Sequence, residues 1–143
     1  MSEFRTQKTV RFGHVDPAGI AYFPRIYEFL HEAFEELWER HVGARYDRLI
    51  LERRLGFPLV HSQVDFKGPL HFGERALVRV TCFKLGHASL GLRYRFEVDG
   101  EERVHARMIT ACIDMDRLKS VPMPAEFRAA FERIRETGET QTA

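Results

Sequence analysis

The segment FGHVDPAGIAYFP, residues 12–24, holds the residue types most able to do chemistry. Asp16, Pro17 and Gly19 together specify a turn, and apolar and aromatic residues follow it directly. The residues alone leave two readings of Asp16 open. It is a turn or helix-cap residue, a role aspartate often fills. Or it is a carboxylate held beside a helix start, where unpaired N–H groups and a dipole of roughly half a charge favour developing negative charge.

The other patterns carry less. HEAFE, residues 31–35, lacks the second histidine of a zinc motif and reads as a solvated helix face. His14, His41, His61, His71, His87 and His105 show no metal-ligand spacing, so no metal is expected. Nucleophile elbows and phosphate-cradling glycine loops are absent from the sequence. Cys82 and Cys112 sit in apolar segments and read as buried free thiols, suited to a reducing cytosol. Arg93, Arg95, Arg103 and Arg107 read as solvated cross-strand charges, with a phosphate-binding surface as the alternative.

These residues need elements to position them. Phe4 to Phe12 alternates as a strand with one wet face, interrupted by Lys8. From Pro24 the period lengthens: Phe23, Ile26, Tyr27, Leu30, Ala33, Phe34, Leu37 and Trp38 form an apolar stripe opposite charged residues. That predicts an amphipathic helix of about five turns, roughly 27 Å long, stopped by Gly43. RYDRLILERRLG predicts a shorter helix ending at Gly56. PLVHSQVDF, RALVRVTCFKL, SLGLRYRFEVD and RVHARMITACIDM predict strands, the last three forming an antiparallel meander. KSVPMP would end the sheet and residues 125–135 would form a short helix. The expectation is an α+β fold in which a curved antiparallel sheet wraps a long central helix.

Length and composition agree with one domain spanning residues 1–143, with about 136–143 as a frayed tail. The 22 basic and 21 acidic residues nearly cancel, which argues against a dedicated nucleic-acid binder. No apolar run is long enough to span a bilayer and no secretory leader is visible, so a cytoplasmic location is expected.

FGHVDPAGIAYFPRIYEFLHEAFEELW resembles the signature of the 4-hydroxybenzoyl-CoA thioesterase family, whose fold is the hotdog. That resemblance implies an acyl-CoA thioesterase that hydrolyses an acyl- or aroyl-CoA to the acid and CoA. CoA would be part of the substrate, and no cofactor would be needed. It implies that Asp16 is the catalytic carboxylate, as nucleophile or general base, and that Gly19 is the family glycine. It implies further that the Phe23 backbone N–H polarises the thioester carbonyl. Tyr22, His61, Lys84 and His87 complete the candidate substrate-binding set. His14 stands where related sequences usually carry an acid, and a protonated His14 would favour an ionised Asp16. Such proteins are homo-oligomers, at least dimers joined sheet edge to sheet edge, and a tetramer is expected. A hotdog hydratase or dehydratase using an Asp/His pair, and a non-catalytic acyl-thioester binder, are the alternatives.

Overall fold

The computed structural model describes residues 2–137. Its main sheet has five antiparallel strands: β1 (Phe4–Thr9), β3 (Leu59–Phe66), β4 (Arg75–Leu85), β5 (Ser89–Val98) and β6 (Glu101–Ala111), in the order β1-β4-β5-β6-β3. Turns at the ends of β4 and β5 give the meander its local connections, with Gly100 at φ +78° in the tighter of the two.

Between their bulges, the even-numbered side chains of the three meander strands face inward. Val78, Val80, Leu92, Tyr94, Phe96, Val104 and Ala106 are buried against Ile26, Phe29, Leu30, Ala33 and Leu37 of α1 (Phe23–Leu37). The register that aligns Val80 with Tyr94 and Tyr94 with Ala106 keeps one apolar face continuous across the strands. The α1 helix runs into a five-residue π-turn, Trp38–Val42, and Gly43 closes it at φ +87° by donating its N–H to the Trp38 carbonyl.

Several expectations change. The first strand stops at Thr9; Phe12–His14 is a 3-10 turn and Phe12 is 80% exposed. Lys8 does not break the strand pattern. It points inward, only 8% exposed, because Glu32 and Glu36 of α1 accept its ammonium at 3.1 and 2.7 Å. The second helix, α2, covers only Tyr46–Leu51; Leu55–Gly56 forms β2, which pairs with β7 (Ile113–Asp114) and through it with β8 (Lys119–Ser120) in a separate small sheet. KSVPMP therefore ends that sheet rather than the main one.

The final helix, α3, covers Ala125–Glu132, and the chain then crosses beside Cys82. Glu136 is 5% exposed and accepts from the Arg93 guanidinium at 2.6 Å and the Thr81 hydroxyl at 2.7 Å. The predicted tail is thus anchored at its start, Arg93 is buried rather than solvated, and residues 138–143 lie outside the described residues. Both cysteines are buried and free. No helix of the described residues is long and apolar enough to cross a membrane.

Candidate active site

The turn at Asp16 is part of a small hairpin. Gly19 donates its N–H to the Asp16 carbonyl at 2.9 Å, and Asp16 donates to the Ile20 carbonyl at 2.9 Å. Val15 and Ala21 pair across it, and the Tyr22 N–H reaches the His14 carbonyl at 2.9 Å. Gly19 adopts φ +81°, a conformation that strains any residue bearing a Cβ. A Cβ there would meet no atom within 4 Å, so the backbone angle, not crowding within the protomer, accounts for the glycine.

The hairpin is tied on its other side. Ala21 donates to the Leu70 carbonyl at 2.7 Å and Phe72 donates to the Gly19 carbonyl at 3.1 Å. The 67–74 loop is held in turn by Arg103, which donates to the Pro69 carbonyl at 2.6 Å and to Glu74 at 3.0 Å, while Glu74 accepts the His71 N–H at 2.7 Å. Burial pushes the Glu74 carboxyl up, but the His71 N–H and Arg103 outweigh it and hold the group below its ordinary range. Arg103 is therefore a brace for the hairpin. Its partners in that loop, Pro69 and Glu74, lie 34 and 29 residues away in the chain, and no local pattern marks them.

Two features of this hairpin are chemically available. The Asp16 Oδ1 accepts the Ala18 N–H at 2.9 Å, which orients the carboxylate, while Oδ2 has no hydrogen-bond partner among the described residues. At the helix start, Tyr22 is the N-cap and gives no side-chain hydrogen bond, Pro24 has no N–H, and Arg25 donates to the Tyr22 carbonyl. The Phe23 N–H, at the positive end of α1, is left without a partner among the described residues. A shallow recess of about 250 Å³ is walled by Gly13, His14, Asp16, Tyr22 and Arg25, so the carboxylate and the first helical turn border one space.

The remaining candidates are dispersed. Tyr22 stands at this recess. His61 lies on β3 opposite Ile109, five residues and about 17 Å from the Phe66 end that adjoins the hairpin. Lys84 is near the far end of β4, about 30 Å from the strand start beside the hairpin, and His87 is in the turn beyond it. Within one protomer, Lys84 and His87 do not join Asp16. The His14 ring packs edge-on against Phe29 at 4.7 Å, and its Nδ1 accepts the Arg11 N–H at 2.9 Å. Accepting that bond requires an unprotonated Nδ1, and His14 forms no ion pair with Asp16 among the described residues. His14 thus helps to hold the turn, and it lines the same recess as Asp16.

Between α1 and the sheet lie two apolar spaces. One, of about 300 Å³, adjoins the Phe23 end of the helix and includes Ile20, Ala21, Phe66, Leu70 and Val104. The other, of about 250 Å³, lies farther along α1 between Tyr27, His31, Phe34, Tyr46, Tyr94 and Thr110.

Residues 10–131 match the thioesterase-like superfamily. The chain belongs to that superfamily. It is 32% identical over 138 residues to the 1,4-dihydroxy-2-naphthoyl-CoA hydrolase of Nostoc punctiforme, covering 95% of this chain and 91% of that one. Its fold is similar to the crystal structure of a 1,4-dihydroxy-2-naphthoyl-CoA thioesterase from Synechocystis, with a TM-score of 0.84, 25% identity, and coverage of 95% of this chain and 100% of that one. A gentisyl-coenzyme A thioesterase structure is similar at a TM-score of 0.79 and 26% identity, covering 90% and 99%. The fold is the hotdog, and the protein is a thioester hydrolase.

Proposed function

We propose that this thioesterase-like protein hydrolyses the CoA thioester of a hydroxylated aromatic acid, with Asp16 acting at the carbonyl carbon and the Phe23 N–H holding the carbonyl oxygen. The observation that carries this reading is one hairpin that bears a carboxylate with one unengaged oxygen and runs directly into a helix start whose first N–H has no partner among the described residues. As the thioester carbon becomes tetrahedral, negative charge builds on its oxygen. A preset amide aided by the α1 dipole stabilises that charge more than it stabilises the neutral carbonyl.

Asp16 Oδ2 either attacks the carbonyl carbon, expelling the CoA thiolate and leaving an acyl anhydride for water to open, or takes a proton from the water that attacks. Both routes consume one water and give the acid and CoA. Single turnover in ¹⁸O-labelled water separates them: the anhydride route can place label in the Asp16 carboxylate, and the base route places it only in the acid.

The aromatic acyl group is supported by the apolar space beside Phe23 and by relatives whose names specify hydroxylated aromatic acids. Assembly is supported by β3, which among the described residues pairs only with β6 and exposes Leu59, Val60 and Phe66. Joining two such edges antiparallel would carry His61 of one subunit toward the hairpin of the other.

The test is thiol release from benzoyl-, 4-hydroxybenzoyl-, gentisyl-, 1,4-dihydroxy-2-naphthoyl-, phenylacetyl- and aliphatic CoA thioesters, with native protein and Asp16→Asn in parallel. The hydroxylated aroyl esters should be preferred, and Asp16→Asn should lose roughly a hundredfold or more in kcat while keeping its Tm. Equal activity in the two proteins would refute the role of Asp16, and turnover of aliphatic esters alone would refute the substrate class.

A further inference from the structure

The second space between α1 and the sheet, of about 250 Å³, lies away from the Asp16 hairpin, beside Leu30 and Phe34. Leu30 is seven residues beyond Phe23, about 10 Å along the helix axis. An apolar cavity of about 150 Å³ already accepts benzene, so this one has room for a substituted ring or two fused rings. Its walls suit a flat guest. Tyr27 and Phe34 border it from α1, Phe57 from the segment before β3, and Leu92 and Met108 from β5 and β6.

One polar group at this cavity has no use within the chain. Tyr94 of β5 is 2% exposed and borders the cavity, and its hydroxyl has no hydrogen bond among the described residues. A buried phenol left unpaired costs stability, so its retention calls for a partner from outside the chain. Burial alone pushes its ionisation up, and the group stays a neutral O–H donor. The neighbouring polar groups are engaged. The Thr110 hydroxyl turns to the Leu90 carbonyl at 3.4 Å, and His31 Nε2 meets Glu35 at 2.7 Å. Tyr46 accepts the Phe57 N–H at 2.8 Å, which leaves its own O–H as a second donor. No lysine or arginine borders the cavity. A carboxylate would therefore enter uncompensated, whereas a ring hydroxyl would meet donors.

We infer that this cavity binds a neutral aromatic ring carrying a hydroxyl, and that Tyr94 is the residue that selects for that hydroxyl. The ring oxygen accepts the Tyr94 O–H, and a bare ring leaves the buried donor unpaired. The same chemistry has two sources. One is the acyl ring of a thioester, which rests on the proposed hydroxyaroyl-CoA reading. The other is a free phenol that fills the cavity while hydrolysis proceeds at the hairpin.

The test compares native protein with Tyr94→Phe, which removes one hydroxyl and keeps the ring. Turnover is measured on 4-hydroxybenzoyl-CoA and benzoyl-CoA, and binding on 4-ethylphenol and ethylbenzene. Trp38, the single tryptophan of the chain, contacts Tyr46 and Phe57 on the cavity wall, so its emission reports filling, with calorimetry as the second readout. The native protein should prefer the hydroxylated member of at least one pair, and Tyr94→Phe should shrink that preference by roughly tenfold. Its Tm without ligand should be equal or higher, because the lost hydroxyl had no partner. An acyl-ring site shows the effect in kcat/KM, with 4-ethylphenol competing against 4-hydroxybenzoyl-CoA. A free-phenol site shows it in 4-ethylphenol binding, without competition. No preference in the native protein, or preferences unchanged in Tyr94→Phe, would overturn the inference. A Tm several degrees lower in the variant would overturn it too, because the hydroxyl would then be bonded within the native molecule. A native protein that hydrolyses neither thioester yet binds 4-ethylphenol through Tyr94 would count against the hydroxyaroyl-CoA reading and leave this site standing.

Discussion

At position 16 the local chain explains more than the carboxylate. Any aspartate in this turn could accept the Ala18 N–H, so the distinguishing feature is what surrounds it: a glycine at φ +81° and a helix start without a capping side chain. His14 is the residue that secures this arrangement. Its Nδ1 takes the Arg11 N–H, its carbonyl takes the Tyr22 N–H, and its ring rests on Phe29 of α1. His14→Ala removes the side-chain acceptor and the ring contact, and should cost about 1–2 kcal/mol of stability with a larger proportional fall in kcat than rise in KM. His14→Asn, which retains an acceptor at similar reach, should recover most of kcat. Thermal melts and steady-state kinetics on the two variants check this, and equal kcat in the native protein and His14→Ala would reduce His14 to packing.

At the scale of elements, the helix and meander were legible because their apolar spacing is strictly local. RALVRVTCFKL becomes β4 over the whole predicted span, and Gly43 stops the long helix as expected. The interruption expected at Lys8 did not materialise because its partners lie 24 and 28 residues away, on a helix face that looked solvated. Thr6 donates to Glu36 at 2.6 Å and Arg40 donates to Thr6 at 2.7 Å, so β1 and α1 are joined by polar contacts that alternation cannot reveal. Arg93 and Glu136 escaped for the same reason, being 43 residues apart. Burial pushes the Glu36 carboxyl up, but hydrogen bonds from Lys8 and Thr6, with the charges of Lys8 and Arg40, hold it below its ordinary 4.5. A carboxyl whose folded value is depressed stabilises the protein fully above its unfolded value and loses that contribution as pH falls through the folded value. Glu36→Gln should therefore lower stability by about 1 kcal/mol at pH 7, a modest figure because the carboxylate is partly solvent-screened. The difference from the native protein should close as the pH falls below 4.5, and paired melting curves across that range would show it. A gap of constant size down to strong acid would mean that the ionised carboxylate contributes nothing.

At the scale of the whole molecule, the sequence pointed to the sheet wrapped on its helix, but not to which strand is left at the edge. That depends on β3 pairing with β6 across a long connection, which no local signal specifies. The outcome matters because β3 leaves an edge with no partner strand among the described residues: Leu59, Val60 and Phe66 are exposed there beside His61, Gln63 and the single carboxylate Asp65, and Phe66 also lines the space next to Phe23. Water satisfies such an edge less well than a second strand does, and charge is the usual protection against pairing. If two β3 edges join, the native protein has at least twice the protomer mass in light scattering and a Tm that rises with protein concentration. Val60→Lys/Phe66→Lys should then yield monomers, and thioesterase activity should fall with the dimer because each acyl space loses a wall. The fall should be partly reversed at high protein concentration, which mass action requires and a merely misfolded variant would not show. A native protein that is monomeric and fully active would remove the seam from the mechanism and leave the hairpin, the helix start and the two spaces around them as a site complete in one chain.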